Sequence, residues 1–235
     1  MNKSSPNAIV NDFVEATQNA LGDWESIDAA LGKQDLRLRR RVASDAFFAL
    51  AVSWEVFFSD WLIAAVNKDS SRAAQNLSDQ LEQYAIRELG VPKSHVAATL
   101  ITQSHFNMDS ARAILDSKDA NIVLREYADL RKHAERWLAG DYRQTLLNIR
   151  KFEFKSVLAM RLVRNALAHQ SPAALSRAND ELRSNRMPVE LRVTIKGQLT
   201  ADGWRRYLLT TGGPRPKIAL YHDKIAAVAG SLEVT

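Results

Sequence analysis

Apolar residues recur at helical spacing along most of the chain. The Ser5-Pro6 pair reads as an N-cap followed by proline at the first helical position. An amphipathic pattern then runs to about residue 31, with Gly22 a candidate interruption and Gly32 the stop. A second helix is expected from about 35 to 67. Its first turns carry Arg37, Arg39, Arg40 and Arg41, and its second half is almost wholly apolar. A third spans about 71–89 and stops at Gly90-Val91-Pro92. Weaker periodicity from 92 to 118 predicts two short helices, the second capped by Asp109. Asp119 is read as the cap of a helix over 120–138 that Gly140 ends, and one long helix follows over about 142–169. Ser171-Pro172 opens another, finished before Pro188.

The period then changes. Val189, Leu191, Val193 and Ile195 alternate with Glu190, Arg192, Thr194 and Lys196, the period of a half-buried strand. Gly197-Gln198 supplies a turn, and residues 204–209 are the expected partner strand. A last helix is expected over about 216–232, after the Gly212-Gly213-Pro214 loop. The expected architecture is all-α. A helical domain covers 1–187, and a small β-hairpin with a terminal helix covers 188–235. No internal repeat or low-complexity tract interrupts it.

Composition narrows the classes. Of 235 residues, 46% are apolar and 25% charged, which suits a globular chain and not a disordered one. Glycine and proline are scarce, nine and six, which argues against a turn-rich sandwich or barrel. The chain has no cysteine, so disulfides, thiolate metal sites and cysteine nucleophiles are excluded. A net charge of +5 permits an anionic partner without demonstrating one. Residues 1–13 lack the apolar run of a signal peptide. Residues 46–66 have the length of a membrane span, but Glu55 and Asp60 lie within them. Each would cost about 2.5–3.5 kcal/mol at the centre of a bilayer. A core helix and a cytoplasmic protein, without membrane association, are therefore expected.

There is no glycine-rich phosphate loop, no nucleophile elbow and no zinc-binding H-E-x-x-H. His105 and Asp109 stand four apart, but Asp109 is better explained as a cap. No metal and no cofactor are expected. The informative segment is the end of the long helix, from Leu158 to His169. At about 100° per residue, Leu147, Phe154, Leu158, Leu162, Asn165 and His169 share one face. That places an amide and an imidazole at the end of an apolar stripe, with Arg164 and Arg161 beside it. Buried polar groups of this kind must find partners. Two readings stay open at this point: Asn165 and His169 finish the helix and satisfy a neighbouring loop, or they form a site.

Arg164-Asn165-Ala-Leu-Ala-His169 resembles the R-x4–6-H motif of HEPN domains, in the form where a polar residue follows the arginine. Ser53-Trp-Glu-Val-Phe-Phe-Ser-Asp-Trp61 is similar to the apolar, Glu-bearing helix that many of these proteins carry upstream. The resemblance covers about 36–170 and implies an all-α bundle. It further implies a homodimer in which two such helices meet to form one metal-independent ribonuclease site. Arg164 would neutralise the scissile phosphate, His169 would move a proton, and Asn165 would orient one of them. The chemistry suits the residue types, since arginine offers a permanent planar donor fork and histidine titrates near neutrality. Ser171 stands where family toxins paired with small nucleotidyltransferases carry a tyrosine, so control by tyrosine modification is not expected. The chain's length is closer to HEPN proteins of stress response or anti-phage defence, in which a restraining partner or antitoxin is a further candidate.

Glu55 is costly if buried alone. Either it pairs with Arg164 or His169 and orients the site, or it stands at an exposed edge or dimer rim. The candidate RNA contacts are Arg150, Lys151, Lys155 and Arg161 on the motif helix, with Arg37 to Arg41 a second cluster. Six aromatic residues, Phe47, Phe48, Trp54, Phe57, Phe58 and Trp61, exceed what one helix face buries in a monomer, which points to a two-fold interface. The expected function is an endoribonuclease acting as a homodimer. The alternative is a HEPN-like module that binds nucleotide, RNA or protein without cleaving.

Overall fold

The structure, a computed structural model, describes residues 5–32, 34–92, 105–116, 118 and 120–234. The protein is 75% helix with no sheet among the described residues, so the all-α class stands and the β-hairpin does not. The helices described are α1 Pro6–Leu31, α2 Leu36–Lys68, α3 Ser71–Glu88, α4 Met108–Leu115, α5 Tyr127–Trp137, α6 Gly140–Asn148, α7 Lys151–His169, α8 Pro172–Arg183, α9 Ala201–Leu209 and α10 Lys217–Gly230. Gly22 does not interrupt α1, and Gly32 closes it in the left-handed region at φ +60°.

Three boundaries differ from expectation. Asn107, not Asp109, caps α4, its side-chain oxygen accepting from Ser110 N at 2.8 Å. The other short helix expected before Lys118 and the Asp119 cap lie outside the described residues. The helix expected over 120–138 begins only at Tyr127. Upstream of it, side chains satisfy the backbone instead: Asp116 accepts from the N–H of Ala120 and Asn121, and Ser59 Oγ accepts from Ile122 N at 2.7 Å. The helix expected over 142–169 is two helices. Arg150 is extended (φ −71°, ψ 146°), and the Glu153 carboxylate accepts from its backbone N–H at 3.0 Å, which starts α7 afresh.

The expected hairpin fails because its second strand is a helix. Trp204, Tyr207 and Leu208 are buried at helical spacing, and Thr200 Oγ1 caps α9 by accepting from Gly203 N. Without a partner, residues 189–195 make one 3-10 turn, Val189–Leu191, and then a loop. Val193 N donates to Leu182 O of α8 at 3.0 Å, and Asn179 fixes Leu199 from both sides, accepting from its N at 2.8 Å and donating to its O at 3.0 Å. Leu191 and Val193 are buried, but Val189 and Ile195 are 70% and 44% exposed, so only the middle of the alternation is covered.

The chain divides into two compact units, residues 1–9, 58–148 and 232–235 in one and 10–57 and 149–231 in the other. In the first, α5 packs on α3 and α6. Phe58 and Trp61 are buried there, with Trp61 edge-on to Tyr142 at 6.5 Å. In the second, α7 is central and packs against α8, α9 and α10. Phe13 stacks on Phe57 at 4.2 Å, Phe47 meets Tyr221 edge-on at 5.0 Å, and Trp54 is buried. This corrects the aromatic argument for a dimer, because five of the six rings are buried within the chain and only Phe48 is half-buried. Helix α2 is the one described helix with the length and hydropathy to cross a membrane, and 67% of its apolar window is buried in protein.

His222 of α10 lies in the second core, 1% exposed. Its Nδ1 is 3.2 Å from Thr17 O, while Nε2 is buried without a partner. Burial holds the imidazole below its usual range, outweighing the Thr17 carbonyl, which favours the proton. The unfolded chain therefore takes up this proton first as pH falls. Folding stability should drop as pH goes below about 6.5, the ordinary histidine value, with His133 of the first unit contributing in the same direction. Urea midpoints measured from pH 7.5 to 5 check this, and His222→Asn should flatten the slope.

Candidate functional site

Helix α7 presents two faces. Phe154, Val157, Met160, Val163 and Leu167 are buried and form the packed side. Leu158, Leu162 and Asn165 are half-buried and His169 is exposed, so within α7 the stripe expected to face the core is fully buried only at Phe154 and opens toward the motif. Leu147 belongs to α6 and is not part of it. The assignment holds at Phe154 and weakens beyond it, because apolar residues lie on both sides of α7. Spacing alone does not say which set is covered.

The helix ends cleanly at the motif. Gln170 enters the left-handed region at φ 50°, and its N–H donates to Ala166 O at 3.2 Å. Ser171 then caps α8 by accepting from Ala174 N. Three sequence candidates come together one turn before that end. Arg164 Nη1 donates to Asn165 Oδ1 at 3.1 Å, and Arg164 Nη2 is 3.8 Å from Glu55 Oε2 on α2. The Arg164 and Glu55 side chains are 29% and 23% exposed, so the pair is accessible on one side. Glu55 is thus neither buried alone nor at an exposed edge. The distance is long for an ion pair, and its attraction is correspondingly modest.

His169 is not brought to this group. It makes no hydrogen bond or ion pair with any described residue. The helix geometry explains why. Five residues on from Arg164, the histidine is about 140° around the helix and about 7.5 Å along it. Within one chain the two side chains diverge.

The pair joins two open faces. On α2, Val52 and Val56 are 48% and 42% exposed and Phe48 is half-buried. On α7 the matching set is Leu158 and Leu162. Of these apolar side chains Val52 and Val56 are exposed, while Phe48, Leu158 and Leu162 are half-buried.

The expected RNA contacts are spread out. Arg150 and Lys151 lie at the other end of α7, about 27 Å from His169 at 1.5 Å per residue. Arg150 is engaged by Glu153, its Nε donating to Oε1 at 2.9 Å, and that contact holds the Glu153 carboxyl below its usual range. Lys151 is exposed, and Lys155 and Arg161 are half-buried. A cavity of about 870 Å³ instead opens beside the motif end. Its walls carry Arg37, Arg40, Arg41 and Arg205, and Leu167 and Phe48 line it too. Arg205 was not singled out by sequence, and Phe48 only as one of six aromatic residues expected at a dimer interface. Arg205 reaches this wall only because residues 201–209 are helical, and the strand reading hid that.

No protein-family model, curated protein or solved structure matches this chain. What it does is therefore argued from these residues alone. Among the described residues no group of three or more His, Asp or Glu could hold a metal ion.

Proposed function

We propose that the chain is a HEPN-like, metal-independent endoribonuclease that works as a homodimer, in stress response or phage defence. The single observation that carries it is the end of α7. An arginine stands beside Glu55 and Asn165, and an unengaged histidine stands five residues on, on the side of α7 where Leu158 and Leu162 are half-buried. A two-fold axis along that side would set Arg164 of one protomer beside His169 of its partner, which one chain does not do. The RNA 2′-oxygen then bonds to the adjacent phosphorus and the bond to the 5′-oxygen breaks. His169 takes the 2′-hydroxyl proton, and the departing oxygen takes a proton from water. Arg164 lies against the phosphate as charge builds on it. The products are a 2′,3′-cyclic phosphate and a 5′-hydroxyl.

One observation favours a second reading. Arg164 already has Glu55 beside it, which would suit a module that binds RNA, nucleotide or protein and no longer cleaves. Incubation of the purified protein with total RNA in EDTA separates the two. Cleavage that disappears in His169→Ala supports the enzyme, and RNA left intact under all conditions supports the module.

A further inference from the structure

We propose that the cavity at the start of α2 is a binding subsite for a nucleotide unit of single-stranded RNA, holding phosphate on Arg37 and Arg205 and a base on Phe48. The inference rests on the ribonuclease reading for its place beside a reacting strand, but its own evidence is the cavity. At about 870 Å³ it falls in the range of ~300–1,000 Å³ typical of ligand pockets.

Its charges are not mutually cancelled. Three carboxylates line it, and each is committed: Asp35 accepts from Leu38 N at 2.9 Å and caps α2, Asp202 is 3.4 Å from Arg40, and Asp45 is 3.9 Å from Arg41. Arg37 and Arg205 have no carboxylate within ion-pair distance among the described residues. Four arginines against three carboxylates leave a cationic surplus of one, and the two guanidinium forks without an ion-pair partner are suited to phosphate oxygens. The Asp35 cap takes up the helix N-terminus, so side chains and not backbone amides would hold the anion.

The remaining lining is apolar. Phe48 is half-buried, leaving part of its ring open to a base, and Leu167 is its neighbour across the cavity. Cations bordering an aromatic ring are the recurrent chemistry of single-strand binding, with phosphates tracked by charge and bases stacked on π-faces. The position fits as well. Leu167 lies one turn past Arg164 on the same side of α7, whereas Arg150 and Lys151 are at the far end of that helix. The strand's flank would run toward the start of α2 and not back along α7.

The test uses the full chain carrying His169→Ala, so that no cleavage complicates binding. A fluorescent single-stranded RNA is titrated at 50 and 200 mM salt. Arg37→Ala with Arg205→Ala should raise Kd about tenfold or more and lower the salt slope by about 1.4, at ~0.7 per phosphate contact. Phe48→Leu should raise Kd about fivefold with the slope kept. Arg150→Ala with Lys151→Ala should change Kd less than twofold. Arg37→Glu, an exposed position, repeats the test without altering the half-buried Arg205. Equal losses from both double variants, or none from either, would overturn the subsite. AMP binding that depends on Arg37 and Arg205 while RNA binding does not would overturn RNA as the occupant. Binding that behaves as expected in a protein that never cleaves RNA would keep the subsite and remove the ribonuclease reading. Cleavage retained in Arg37→Ala/Arg205→Ala with unchanged KM would do the reverse.

Discussion

Arg164→Ala should lower turnover about 10²-fold or more and leave RNA affinity largely intact, by analogy with removing one donor to a developing oxyanion. Arg161→Ala should do the opposite, weakening binding in a salt-dependent way with the saturated rate mostly kept. The two arginines stand one turn apart on α7, and both are half-buried. An account based on charge alone treats them alike. The site account does not, because Arg164 opens the motif and stands beside Asn165 and Glu55. A guanidinium fixed from two sides is preorganised, and losing it removes a contact that strengthens as charge develops on the phosphate. Single-turnover rates and Kd values for the two variants decide it. Equal behaviour would reduce the motif to a basic patch.

The second large effect concerns association. Val52→Asp with Leu162→Asp should convert a micromolar dimer to a monomer and abolish cleavage while helix content and melting are nearly unchanged. Val52 is 48% exposed and Leu162 half-buried, so in the free chain an aspartate at either position can reach water. In a two-fold interface each change appears twice, and four carboxylates would be desolvated among Val56, Leu158 and their neighbours. A few kcal/mol lost there raises the dimer Kd by 10² or more, at about 1.4 kcal/mol per tenfold. Sedimentation velocity of wild type and variant reads this directly. A monomeric wild type at micromolar concentration would count against both the interface and the shared site.

These two effects draw on different amounts of sequence information. The motif helix, its stop at Gln170-Ser171-Pro172 and the companion Glu55 were legible, because caps, proline and a lone acid on an apolar helix are local signals. The open face of α7 was not. Leu158 and Phe154 share a face and look alike in sequence, and only the packing around α7 leaves Phe154 fully buried and Leu158 half-buried. The same cause misplaced the aromatic residues of α2. Phe47, Trp54 and Phe57 suggested an interface until α1 and α10 were seen to supply Phe13 and Tyr221 against them.

The break at Arg150 and the missing hairpin have local causes that were readable and outweighed. Glu153 three residues after Arg150 is half of a capping signal, but arginine is not a side chain that caps. The spacing of Trp204, Tyr207 and Leu208 is helical, yet the alternation upstream of it called for a partner strand. That choice also concealed Arg205, and with it the cavity wall.

The central claim is that Arg164 and His169 act together across two protomers. The direct measurement mixes two inactive proteins, Arg164→Ala and His169→Ala, allows subunits to exchange, and assays RNA cleavage in EDTA. Half of the dimers would then be mixed, and each would keep one intact Arg164 and His169 pair contributed by different chains. Activity should return to about a quarter of wild type, as expected for two-fold pairing of unlike subunits. A mixture that stays as inactive as either variant alone, with exchange verified, would contradict the shared site.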